Sequence, residues 1–89
     1  MKVVNLRKAK HTIYIGRGSI FGNPFVMGRD GGRKQVIEKY EKYLVNNKKV
    51  LDAIYNLSKD AILGCFCSPL DCHGSIIIKI WKELHNELE

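Results

Sequence analysis

The apolar positions of this chain change period along its length, and the changes divide it into elements. Val3-Val4-Asn5-Leu6 is a short β-type run, and Thr12-Ile13-Tyr14-Ile15 alternates with β-branched residues, so both predict strands, joined as a hairpin across Arg7 to His11. Periodicity then stops. Gly16 to Gly32 holds six of the eight glycines and one of the two prolines, which predicts a long ordered loop of the kind that often carries function.

From Arg33 onward Val36, Ile37, Tyr40, Tyr43 and Leu44 recur at helical spacing, with Glu38 and Lys42 paired four apart on the outside. Asn46-Asn47 marks a stop, and Val50, Leu51, Ile54 and Leu57 repeat the spacing over a shorter second helix. Ala61 to Cys67 is almost continuously apolar, as expected of a central strand covered on both faces. Ser68 to Gly74 reads as a loop, and from Ser75 the residues Ile77, Ile80, Trp81, Leu84 and Leu88 stripe a C-terminal helix. The expected fold is α/β: a single small domain over residues 1–89, with a short sheet whose central strand is 61–67 and about three helices packed on it.

Composition narrows this further. At 89 residues, with 45% hydrophobic and 27% charged positions, the chain has the make-up of an ordinary soluble domain. No apolar run approaches the roughly 18 residues that cross a bilayer. The charged start, Met1-Lys2-Val3-Val4-Asn5-Leu6-Arg7-Lys8, lacks the apolar core of a secretory leader, so the expected location is cytoplasmic. A chain this short buries only roughly 60 to 65% of its unfolded surface, so reinforcement by a bound ligand or by a homo-oligomer contact stays open. The three cysteines crowd into Cys65, Cys67 and Cys72, too few and too close for a disulfide framework, and are expected to be reduced.

The net charge of +6 is uneven: residues 1–34 hold eight Lys or Arg against one acid, Asp30. Such a field favours anionic partners, although a basic run also serves simply as a solvated face.

Two segments carry candidate chemistry. Cys65-Phe66-Cys67-Ser68-Pro69-Leu70-Asp71-Cys72-His73-Gly74-Ser75 lies where a buried strand hands over to a helix, a junction where α/β folds place ligands. The exposed N–H groups of a helix start favour an anion, with Gly74 and Ser75 allowing close approach. A zinc site is disfavoured, because only one residue separates Cys65 from Cys67 and the adjacent Cys72 and His73 are poorly placed to share an ion. No metal or other cofactor is expected. Cys72 beside His73 at a helix start reads as a nucleophile with its acid or base, while small core residues remain an equally good account of the cysteines.

The second segment, Tyr14-Ile15-Gly16-Arg17-Gly18-Ser19-Ile20-Phe21-Gly22-Asn23-Pro24-Phe25, also runs from a strand into a glycine-bearing loop. Its glycines free the backbone to present N–H groups and the Arg17 guanidinium to an anion. It lacks the Gly-Lys-Ser/Thr ending of a phosphate-binding Walker loop. Phe21 or Phe25 is a candidate to stack on a base or a ring, although core packing is the more frequent role of a lone Phe, and Asn23 is a candidate to order the turn. Gly28-Arg29-Asp30-Gly31-Gly32-Arg33 then delivers Arg29 and Arg33 to the start of the first long helix, with Asp30 as its candidate cap.

Four pieces together resemble a family catalogued as a domain of unknown function, number 4326, found in bacteria and their phages. They are Val4-Asn5-Leu6-Arg7; Tyr14-Ile15-Gly16-Arg17-Gly18-Ser19 with Gly22-Asn23-Pro24-Phe25; Gly28-Arg29-Asp30-Gly31; and Leu63-Gly64-Cys65-Phe66-Cys67 with Pro69 and Cys72-His73-Gly74. The resemblance covers nearly the whole chain and implies that these positions form one site. Where family members often have Trp, this chain has Phe21 and Phe66.

Three functions are expected from this pattern. The first is binding of an anionic, phosphorylated nucleotide-like small molecule in a cleft between the 16–25 and 65–75 loops, by Asn5, Arg7, Arg17, Gly18, Ser19, Phe21, Asn23, Phe25, Arg29, Cys67, Pro69, Gly74 and Ser75. A phage protein of this kind would suit sequestration of a host immune nucleotide signal. The second is an enzyme acting on a nucleotide or nucleoside derivative through catalytic Cys72 and His73. The third is a nucleic-acid-binding domain, ranked last because the arginines sit among loop glycines without several interleaved aromatics.

Overall fold

The computed structural model describes residues 1–66 and 73–85. Its elements follow in the order β1 (Lys2–Asn5), β2 (Ile13–Tyr14), α1 (Arg33–Val45), α2 (Lys48–Tyr55), β3 (Ile62–Cys65) and α3 (His73–Leu84). The α/β architecture, the central strand and the three helices are those expected. The first two strands are arranged differently.

β1 and β2 do not form a hairpin. Both run parallel to β3 and lie on opposite sides of it, in the sheet order β1-β3-β2. Leu6 N–H donates to the Cys65 carbonyl at 3.0 Å at one end of β3, and Thr12 N–H to the Ile62 carbonyl at 2.9 Å at the other. The chain between them must therefore travel back across the face of β3. It crosses at Gly64, where an added Cβ would run into the side chains of Leu6 and His11. A bare residue in the middle of the central strand is what permits the crossing.

The opposite face of β3 carries Leu63 and Cys65, both buried with Ile15 in one core with the helices. α1 contributes Tyr40 and Leu44, α2 contributes Val50 and Ile54, and α3 contributes Ile77, Ile80 and Trp81. Asn47 caps α2, its Oδ1 accepting from Val50 N–H at 3.3 Å. The expected Asp30 cap of α1 is not made. Gly32 is the N-cap, its N–H donating to Gln35 Oε1 at 2.5 Å, while Asp30 turns back to accept from Val26 N–H at 2.8 Å. The Glu38–Lys42 pair is also not formed; the acid of α1 that is paired is Glu41, bonded to Lys79 of α3 at 2.7 Å. That interhelical bond raises the pKa of Lys79.

α3 begins two residues earlier than the apolar stripe predicts, so His73 and Gly74 lie in its first turn. Gly74 is buried, and an added Cβ would meet Val3 and then Ile15. The helix start is thereby seated directly on the sheet. No helix of the described residues is long and apolar enough to cross a membrane.

Overpacking at this contact sets a clear expectation. Gly74→Ala should lower unfolding stability by about 1 to 3 kcal/mol, read as a lower denaturant midpoint at unchanged slope. An unchanged midpoint would show that α3 is not seated this closely.

Candidate functional site

The loop that follows β2 is folded by its own backbone. The Tyr14 ring lies over Gly16, where any Cβ would collide with it, and the Tyr14 hydroxyl donates to the Arg17 carbonyl at 3.0 Å. Ser19 donates to the Gly16 carbonyl from both its N–H (3.2 Å) and its hydroxyl (2.7 Å). Gly18 has φ +90, a left-handed conformation suited to glycine. The turn leaves the exposed Arg17 side chain without an acidic partner among the described residues.

Further along, Asn23 ties the loop to α1. Its Nδ2 donates to the Val36 carbonyl at 3.2 Å, and its Oδ1 accepts from Phe25 N–H at 2.9 Å. The Phe25 ring then meets Tyr43 edge-on, with centroids 6.4 Å apart. The preceding Phe21 is a core residue, and its carbonyl accepts from the buried Tyr40 hydroxyl at 2.6 Å.

The facing side is built at the end of β3. Asn5 Oδ1 accepts from Arg7 N–H at 2.9 Å, while Asn5 Nδ2 donates to the Phe66 carbonyl at 3.4 Å. The Arg7 guanidinium lies 5.5 Å from the centroid of the Phe66 ring. Asn5 and Arg7 thus support Phe66, which is 58% exposed.

His73 forms the floor and is the one buried polar residue among those described. Its Nε2 lies 2.6 Å from the Ile15 carbonyl, and its ring packs edge-on to Tyr40, with centroids 5.1 Å apart. A carbonyl only accepts, so Nε2 carries the proton and Nδ1 of the neutral ring carries the lone pair. Burial pushes the His73 pKa below its ordinary value, with the Ile15 bond opposing this in part. The neutral imidazole is therefore the form held at neutral pH.

These groups enclose a cavity of about 340 Å³, within the range of small-molecule sites. Arg17 and Arg33 bring cations to it, His73 and Asn23 bring neutral polar groups, and Tyr14, Phe25 and Phe66 bring aromatic rings. Met27, Val36, Ile37 and Cys65 complete an otherwise apolar lining. Cys65, Phe66 and His73, from the two ends of the second segment, thus share one hollow with Gly16, Arg17, Asn23 and Phe25 of the first.

Of the residues expected in the site, Arg17, Asn23, Phe25 and His73 line this cavity. Gly18 and Ser19 shape the turn beside it, and Asn5 and Arg7 stand behind Phe66. Phe21 is instead committed to the core. Arg29 is turned away from the cavity: it is bonded to Asp30 at 2.9 Å and to the Pro24 carbonyl at 3.4 Å. The Val26 amide first, and then Arg29, hold the Asp30 carboxyl below the usual carboxylate range. Gly74 is closed off by Val3 and Ile15, and the exposed Ser75 is not among the cavity-lining residues. Cys67, Pro69 and Cys72 lie outside the described residues.

Arg33 was placed at the start of the first long helix but not among the binding residues, and Tyr14 entered the expected site only through the family resemblance; both line the cavity. Arg33 is the first residue of α1, and the neighbouring Asp30 was the available signal that Arg29 would be held in its own turn. Tyr14 had its own signal in Gly16, two residues on, since a Cβ there would collide with the Tyr14 ring. Among the described residues no group of three or more His, Cys, Asp or Glu side chains is placed to hold a metal ion.

The model of a family described as a domain of unknown function, DUF4326, matches residues 2–83. The chain is 33% identical to an uncharacterized 12.4 kDa protein from the nrdA-td intergenic region of Enterobacteria phage T4, over 97% of this chain and 82% of that protein. It is 30% identical to an uncharacterized protein of Acanthamoeba polyphaga mimivirus, over 79% of this chain and 66% of the relative. No solved structure matches.

The buried imidazole makes stability depend on pH in a defined sense. The unfolded chain protonates His73 near 6.5 and the folded chain holds that proton less well, so acid favours unfolding. Stability should fall as pH drops below 6.5, and His73→Gln, which keeps a donor for Ile15 but does not titrate, should flatten the fall. Parallel denaturation profiles for the two proteins would refute this.

Proposed function

We propose that this chain, which belongs to the DUF4326 family, binds a phosphorylated nucleotide-like small molecule in the cavity between its 16–25 loop and the start of α3. The observation that carries this reading is the lining. One hollow of about 340 Å³ combines aromatic rings with an arginine, Arg17, that has no acidic partner among the described residues. A flat base fits against Phe25 or Phe66, and a phosphate fits the guanidinium of Arg17, whose planar donors suit paired anionic oxygens. The lone pair on His73 Nδ1 adds an acceptor for an N–H or O–H of the ligand.

Two relatives are viral proteins, which supports placing the ligand among nucleotides that a virus would gain from withholding, such as a host immune signal. Sequestration needs tight binding and no chemistry. A second reading, an enzyme using Cys72 as nucleophile and His73 as base, is favoured by one observation: His73 is held in its neutral form, which accepts a proton.

Calorimetry against mono-, di- and cyclic nucleotides should show heat of binding. Arg17→Ala and Phe25→Ala should each weaken the interaction by about tenfold, corresponding to about 1.4 kcal/mol. Absence of heat with every nucleotide would end the reading, and turnover of the bound nucleotide that is lost in Cys72→Ser would favour the enzyme.

A further inference from the structure

Phe25 has a second side. Its ring lines the cavity described above and also lines a broader, more open hollow of about 530 Å³ on the outer surface of α1. The two hollows therefore adjoin at Phe25, which lines both. That ring is held from several directions: by its own N–H on Asn23, by Tyr43 at its edge, and by the Lys39 ammonium 5.9 Å from its centroid.

The outer hollow has its own chemistry. Lys39 and Lys42 lie one helical turn apart on the same side of α1. Neither is in an ion pair among the described residues, although Glu38 and Glu41 are on the same helix; Glu41 is committed to Lys79. Tyr43 supplies an aromatic surface, and Asn46 and Asn47 supply amides. Cations beside an aromatic ring repeat, in lysine form, the combination that Arg17 and the aromatic rings make inside the cavity.

We propose that this outer hollow is a second subsite, and that the ligand is built of two phosphate-linked nucleotide-like units, one in the cavity and one across Phe25 against Lys39, Lys42 and Tyr43. The inference rests on the nucleotide reading above and specifies its ligand class. The inner unit is enclosed and sets identity. The outer unit lies in an open, solvated hollow, where the lysines act as point charges and the ring as a tolerant stacking surface.

The test is a calorimetric series on the full chain at constant salt. It uses the nucleoside monophosphate that binds best, its 5′-phosphorylated dinucleotide and the tetranucleotide of the same base. The dinucleotide should bind about tenfold tighter than the monophosphate, the tetranucleotide no tighter than the dinucleotide, and Lys39→Gln/Lys42→Gln should bring the ratio of the first two affinities to about one. Equal affinity for monophosphate and dinucleotide in the native protein, or a ratio untouched by the double substitution, would overturn the second subsite while leaving the cavity reading intact. Affinity that keeps climbing to the tetranucleotide would replace the two-unit ligand with a nucleic-acid strand. Binding of none of them would remove the nucleotide reading, and this inference with it.

Discussion

The hydrogen bond from His73 to the Ile15 carbonyl is the constraint on which the rest of the site depends. Ile15 is the residue that follows β2, where the glycine-bearing loop departs, and His73 is the residue at which α3 begins. A single 2.6 Å contact thus joins the origins of both rims. The edge-on contact with Tyr40 adds α1, whose hydroxyl in turn holds the Phe21 carbonyl of the same loop. Burying a titratable ring at that junction is costly unless its polar atoms are satisfied, so the geometry that satisfies it is strongly specified.

Around this junction the molecule separates support from presentation. Bonds that fix the loops use backbone carbonyls and amides: Ser19 on Gly16, Asn23 on Val36, Asn5 on Phe66. The groups turned towards the hollow are of other kinds, a guanidinium in Arg17 and rings in Phe25 and Phe66. An arginine next to an acid in sequence, Arg29, is used up in holding its turn, whereas Arg17, which has no acid nearby along the chain, keeps its charge for another partner.

Most of the elements were legible because each depends on local periodicity. The stripe Val36, Tyr40, Leu44 makes a helix wherever it is placed, and Ile62 to Cys65 is too apolar for an edge. Strand pairing is a different matter. Val3-Val4 and Ile13-Tyr14 look the same as hairpin arms or as strands separated by a third, and the difference is decided by Gly64, far along the chain, whose missing side chain lets Leu6 and His11 pass. That the end of β3 and the start of α3 lie near the loop after β2 was legible from the position of these segments next to strands. What each side chain does there was not, since whether Phe21 or Phe25 faces the hollow, or Arg29 or Arg33, turns on bonds to Tyr40 and to Asp30 respectively.

The sheet order has a bearing on how the chain reaches this structure. β1 and β2 bond to β3 and not to each other, and the N-terminal ammonium itself donates to Lys59, 58 positions away. During synthesis neither early strand has its partner until β3, more than 55 residues after the start of β1, has emerged. Closure over such separations carries a larger entropic cost than the local contacts within α1 and α2. The cavity, whose walls come from both ends of the chain, depends on that costlier closure.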